Sequence, residues 1–147
     1  MKRGLLNLLN CSMQSVFLTF SLVVVLGLFY INATPLIPNA DKVEVYLKSN
    51  SSSCDIKVVS PKKANLIFDK RGESYWLEGS TFNLSNFLNK FNATIVMVES
   101  IDDGLSIYAY SSKVRYLKIL KGKKVNLHIH LKQDVVRIGS PIIFGSF

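Results

Sequence analysis

Histidine and cysteine are scarce: the chain has two of each in 147 residues. Two cysteines make at most one disulfide, and two histidines cannot by themselves fill a tetrahedral zinc site. Neither a disulfide framework nor a structural metal is therefore expected to hold the fold. Enzyme signatures are missing as well. There is no Gly-x-Ser-x-Gly elbow, phosphate loop, dinucleotide fingerprint or His-Glu-x-x-His helix. No catalytic residue and no cofactor is assigned, and the chain is not read as an enzyme. The close acids Asp102 and Asp103 sit beside Gly104, where Asp serves a turn's conformation rather than proton transfer.

Charge is absent from Gly4 to Ile31, and Val16 to Ile31 is almost wholly apolar. A bilayer core needs about 20 helical residues, and the uncharged flank from Gly4 to Ser15 can extend the apolar run to that length. With Lys2 and Arg3 ahead of it, the basic start is expected to stay in the cytoplasm and the rest to cross the membrane. Ile31-Asn32-Ala33 is a poor cleavage site because Ile is bulky where a small residue is wanted. Residues 1–31 are thus expected to be a cytoplasmic start and an uncleaved transmembrane signal-anchor. Residues 32–40, with Pro35 and Pro38, read as a linker, and 41–147 as one extracytoplasmic domain. The bilayer would separate Cys11 from Cys54. Cys54 then reads as a small residue at a strand start, with pairing between chains or thiol reactivity as the other readings.

Acidic residues are rare late in the chain. The net charge is +8, and from Lys113 onward Asp134 is the only acid against Lys113, Arg115, Lys118, Lys121, Lys123, Lys124, Lys132 and Arg137. In a cytoplasmic protein such a stretch suggests nucleic acid. Beyond a membrane the nearer anions are lipid headgroups and phosphate- or carboxylate-bearing envelope polymers, and a solvated basic face is the plain alternative.

What is present is mostly period two, the spacing of half-buried strands. Val43, Val45 and Leu47 alternate with Glu44, Tyr46 and Lys48, and Asp55 to Val59 follows as a second strand stopped by Pro61. Ala64 to Phe68 and Ser74 to Leu77 flank Asp69-Lys70-Arg71-Gly72, which reads as a hairpin turn. Leu84, Phe87, Leu88 and Phe91 fall on one helical face, with Ser80 or Thr81 expected as the cap and Asn92 as a left-handed stop. Strands then return at Thr94 to Glu99 and Leu105 to Tyr110, joined through Asp102-Asp103-Gly104. Val114 to Leu120 and Val125 to Leu131 are joined through Lys121-Gly122-Lys123. Val135 to Ile138 and Pro141 to Phe144 close the domain, with a bend at Gly139 and Pro141. The expected fold class is α+β: a mostly antiparallel β meander with one short helix packed on the sheet, preceded by the transmembrane helix.

Three segments, Asn86 to Glu99 (NFLNKFNATIVMVE), LKGKKVNLHIHLK and VRIGSPIIFG, resemble the C-terminal half of the YwmB-like family. Its members are exported proteins of spore-forming Gram-positive bacteria, labelled TATA-box-binding-protein-like for their fold. The resemblance covers roughly Asn83 to Phe147 and carries no catalytic motif. It implies an exported domain without obvious enzyme chemistry, linked to the cell envelope or sporulation. It does not extend to the first half, which reads as all strand between Lys42 and Leu77.

Alternation places Leu105, Ile107 and Ala109 toward the helix and leaves Ser106, Tyr108 and Tyr110 on the other face. Asn126, His128 and His130 share that second face if the meander holds. Tyr108, Tyr110, Asn126, His128 and His130 are the expected binding residues, since tyrosines, imidazoles and nearby cations suit a peptide, sugar or anionic polymer. The competing reading is that strands of the first half cover this face and make the tyrosines core. A metal on His128 and His130, serving an envelope-polymer hydrolase, lacks a third histidine, so no metal site is assigned. A nucleic-acid module conflicts with the topology. The expected function is a membrane-anchored extracytoplasmic binding or accessory domain, with a protein or anionic envelope polymer as partner.

Overall fold

The computed structural model describes residues 2–32, 35–48, 55–67, 69–101 and 104–144. The chain divides into two units, Met1–Thr34 and Pro35–Phe147. The first contains one helix, α1 (Lys2–Asn32). Its described side chains run from Met13 to Leu28 and all are exposed. Thr19 and Ser21 return their hydroxyls to the Ser15 and Phe17 carbonyls at 2.6 and 2.7 Å, so these polar groups are satisfied within the helix. Among the described residues no helix is long and apolar enough to cross a membrane. At 1.5 Å per residue, Met13 to Leu28 alone would extend about 24 Å.

Among the described residues the second unit is α+β, with nine strands whose pairings are all antiparallel. In chain order they are β1 (Lys42–Leu47), β2 (Asp55–Val59), β3 (Lys70–Glu78), β4 (Ala93–Ile101), β5 (Gly104–Ser111), β6 (Lys118–Leu120), β7 (Lys123–Val125), β8 (Leu127–Leu131) and β9 (Val135–Ser140). Seven of them form one sheet in the order β2-β1-β3-β9-β8-β5-β4, while β6 and β7 make a separate ribbon. A one-turn helix, α2 (Pro61–Ala64), follows β2, and α3 (Leu84–Phe91) precedes β4.

Alternation decides which side chains meet the helix. Val43, Val45, Tyr75, Ile107, Ala109, Leu127, Ile129, Val136 and Ile138 form one core with Phe87 and Phe91 of α3. The spacing of Leu84, Phe87, Leu88 and Phe91 does make the apolar face of the helix. Its cap is Asn83, whose side chain accepts from Asn86 N at 2.9 Å; Ser80 and Thr81 instead lie in a 3-10 turn, Gly79–Thr81. Asn92, at φ 47°, ends the helix in the left-handed region as expected.

Three local expectations are corrected. Asp69 to Gly72 is not a hairpin turn: β3 starts at Lys70 and runs on as the partner of β1. Gly72 is needed there because a Cβ would meet Ser140 O at 2.6 Å. Second, the long strands expected around Lys121-Gly122-Lys123 break up. The turn is Lys121-Gly122, at φ 47° and 75°, and it joins only the three-residue strands β6 and β7. Two positive φ values suit a tight two-residue hairpin loop. Third, Pro141 to Phe144 is not a strand. The second half of the expected linker also belongs to the domain, with Ile37 and Ala40 buried. Asp102 and Asp103, and Cys54 with the serine run before it, lie outside the described residues.

The core reading predicts a contrast between the middle and the edge of the sheet. Ile129 is fully buried and pairs with Ile107 and Ile138 on its two neighbours. Ile129→Ala should cost about 2–5 kcal/mol through lost burial and a cavity. Val58→Ala on the edge strand β2, where Val58 is 61% exposed, should stay within about 0.5 kcal/mol. Guanidinium melts of the full chain, followed by fluorescence of the single tryptophan, measure both.

Candidate functional site

The face of the sheet turned away from α3 carries the polar residues. Trp76 of β3 pairs with Lys42 of β1 on one side and with Arg137 of β9 on the other. Both cations lie against the indole, Lys42 Nζ at 4.1 Å and the Arg137 guanidinium at 4.7 Å from its centroid. Arg137 donates from Nη2 to Glu44 Oε2 at 2.6 Å and to the Tyr46 hydroxyl at 2.8 Å, and from Nε to Ser74 Oγ at 2.9 Å. Glu44, Tyr46, Ser74 and Arg137 are all buried. Burial raises the Tyr46 hydroxyl above its usual pKa, so it stays protonated beside Glu44.

Beyond Arg137 come the histidines. His130 Nδ1 lies 3.0 Å from Ser106 Oγ, and His128 stacks on Tyr108 with ring centroids 4.2 Å apart. Both imidazoles are buried, at 2% and 5% exposure for His128 and His130. His128 Nδ1 accepts from Ile143 N at 3.3 Å, which fixes that nitrogen as the unprotonated one. Burial, with His130 and Arg137 nearby, pushes the His128 pKa down to about 4. Glu99 is held below the usual carboxylate range by the Lys121 ammonium at 2.7 Å. The Tyr108 hydroxyl is raised by burial and by Glu99.

The covering of this face differs from either expectation. Strands of the first half do not lie over it; β1 and β3 join the same sheet. The cover comes from Pro141 to Phe144, which turns at a cis Ser140–Pro141 bond and lies back across the sheet. Its backbone rests on Gly139, where a Cβ would collide with Ile143 N. Phe144 packs on Tyr46 with centroids 5.0 Å apart, and Lys118 Nζ sits 5.2 Å from the Phe144 ring centre.

The five expected binding residues therefore separate. Tyr108, His128 and His130 share the face. Tyr110 stands exposed at 38%. The Asn126 side chain is bonded to backbone: Oδ1 accepts from Ser111 N at 2.8 Å, and Nδ2 donates to Ser111 O at 2.6 Å and Val114 O at 3.0 Å. Among the described residues no group of three or more His, Cys, Asp or Glu side chains is placed to hold a metal ion.

An open cavity of about 280 Å³ lies beside the histidines, lined by Trp76, His130, Lys132, Val135 and Arg137. The indole and Val135 supply an apolar wall, while Lys132 and Arg137 bring positive charge to it. Trp76 Nε1 is buried and has no hydrogen-bond partner among the described residues. A donor left so is costly unless something accepts from it. The arrangement suits a small anionic or hydroxyl-rich group that packs on the indole and meets the cationic side chains. Period two alone could have placed Trp76 and Arg137 on one face each, but not beside one another. Comparison of the chain with protein-family models, curated proteins and solved structures found no match.

Four outcomes follow, the first three from single truncations. Asn126→Ala leaves buried backbone groups unsatisfied and should cost about 1–3 kcal/mol, whereas Tyr110→Ala should stay within about 1 kcal/mol. Glu44→Ala strands a buried guanidinium and should cost about 3–5 kcal/mol. All three are read by guanidinium melts. His128 makes the fold acid-sensitive: its folded value of about 4 lies below the unfolded value of about 6.5. The unfolded chain thus takes up the proton first, and stability falls as pH drops from about 6.5 toward 4, by at most about 3 kcal/mol. His128→Asn, which keeps an acceptor near Ile143 N, should flatten the slope of Tm between pH 7 and 5; an unchanged slope would refute the assignment.

Proposed function

We propose that the protein is a membrane-anchored extracytoplasmic binding domain that captures an anionic group of an envelope polymer or partner protein in the cavity beside Trp76. The observation that carries the binding part is that cavity: an indole, an apolar wall, the cationic side chain of Lys132, and Arg137 held in place by Glu44. Ligand sites are mostly apolar concavities with a few convergent polar groups, and this one matches that description near the small end of the usual size range. The buried network behind it, Arg137 on Glu44, Tyr46 and Ser74, holds the lining rigid before any ligand arrives.

Anchoring is supported by α1. From Met13 to Leu28 its described side chains are uncharged and exposed, and the Thr19 and Ser21 hydroxyls bond to carbonyls of the same helix. A helix apolar on every side is unstable in water but suited to lipid, and the sequence continues uncharged from Gly4 to Ile31. Lys2 and Arg3 favour a cytoplasmic N-terminus. The resemblance of Asn83 to Phe147 to the YwmB-like family points the same way, toward an exported domain in envelope or sporulation work.

Two measurements test this reading. Protease added to intact protoplasts should digest residues 41–147, and full protection would overturn the topology. Titration of the full chain with a soluble glycerol-phosphate polymer or a polyuronate should change Trp76 emission in a saturable way. Lys132→Gln should weaken that response several-fold while leaving the melting midpoint in place. No change in Trp76 emission with either polymer would remove the cavity as the binding site.

A further inference from the structure

The basic segment from Lys113 to Val125 has no role in the cavity, and its geometry has a direction. The β6–β7 ribbon is a sheet of its own, with Lys118 opposite Val125, Ile119 opposite Lys124 and Leu120 opposite Lys123. Val125 is fully buried, and Lys118 and Leu120 are half-buried, so one face of the ribbon turns into the domain. Side chains alternate along a strand. The other face therefore carries Ile119 and Lys124, and Leu117 is exposed just ahead of β6. Leu117 is 50% and Ile119 56% exposed. Arg115, Lys121, Lys123 and Lys124 are exposed around them.

Six basic residues and no acid lie between Lys113 and Val125. Lys121 reaches Glu99 at 2.7 Å and Lys123 reaches Val96 O at 3.5 Å, so the tip is tied to β4. The loop is only Lys121-Gly122, both at positive φ, so the ribbon is short.

Two exposed aliphatic side chains set among cations call for a partner that is apolar and anionic at once. A nucleic acid meets the charge but offers nothing to Leu117 and Ile119, and single strands are held on aromatic platforms that this outer face lacks. Exposed aliphatics also occur elsewhere on this domain, at Ile56 and Val58 for example; what sets Leu117 and Ile119 apart is the cluster of cations around them. At a bilayer interface the apolar side chains reach the acyl boundary while lysine and arginine extend to the phosphates. We propose that the outer face of the β6–β7 ribbon, Ile119 and Lys124, together with the exposed Arg115 and Leu117 just ahead of it, docks onto an anionic bilayer surface. The contact uses no residue of the Trp76 cavity and does not depend on α1 spanning the membrane.

The test uses the full chain with Cys11→Ser and Cys54→Ser, carrying either Ile119→Cys or Lys57→Cys on the far edge strand, labelled with an environment-sensitive dye. Each is mixed with vesicles of phosphatidylcholine or of an equal mixture of phosphatidylcholine and phosphatidylglycerol. The expected result is a blue shift and loss of iodide quenching at position 119 only, with the anionic vesicles only. The shift should vanish near 1 M salt, where the Debye length is about 3 Å, and on Arg115→Gln with Lys124→Gln. Restoring charge with Lys124→Arg should recover part of it, and unchanged Trp76 emission certifies that each variant is folded. Equal quenching at positions 119 and 57, or the same response to both vesicles, overturns the proposal. An alkaline wash separates the two readings: release of the chain from the vesicles refutes the anchor, while the dye response at 119 reports on the ribbon alone.

Discussion

Arg137 holds the sheet together across its midline. It sits on β9, in the half of the sheet built from the later strands, and its guanidinium reaches Ser74 on β3 and Glu44 and Tyr46 on β1. The same group lies against Trp76. The β3–β9 seam is where the two halves of the chain meet, so one side chain bonds across the long-range junction as well as beside it. A buried ion pair is not in itself evidence of stability, because desolvation offsets much of the attraction. What it supplies here is register. A one-residue slip would turn Arg137 to the core face and leave Glu44 with only the more exposed Lys42, 3.6 Å away.

The central strands are consequently buried on both faces. On one side the apolar set packs on α3, and on the other the polar network lies under the Pro141–Phe144 segment. Gly72 and Gly139 are the positions where that segment comes closest, and side chains there would strike its backbone or that of Ser140. The depressed pKa of His128 belongs to the same arrangement. Its ring is stacked, enclosed and near Arg137, so a proton on it is disfavoured.

Charge is handled differently in the two regions. In the sheet interior Arg137 is balanced by Glu44, and Lys70 by Glu73 at 2.6 Å. On the β6–β7 ribbon the cations far outnumber the acids, with Glu99 reaching one of them. Balanced charge in the interior fixes register and shapes the cavity wall, whereas unbalanced charge at the surface acts outward on partners. This division is why the cavity and the ribbon are assigned separate roles.

Local periodicity in the sequence was enough to determine the α+β class, the alternation of Val43 and Val45 with Glu44 and Tyr46, the α3 stripe, the stop at Asn92, and the grouping of Tyr108 with His128 and His130. These features depend on neighbours a few residues apart, where backbone geometry alone sets which side chains share a face. Tertiary structure decided the rest. Glu44 and Arg137 are 93 residues apart, and no local pattern encodes which strands become neighbours. The cap at Asn83, the start of β3 in place of a hairpin, and the ribbon that ends before Asn126 each arose where packing or side-chain bonding outweighed a local turn signal. The cover over the polar face could not be read from strand alternation, which gives the two faces of a strand but not what lies against them. Pairing register, long-range hydrogen bonds and the space left by two glycines settled that, because each depends on groups brought together only by the completed sheet.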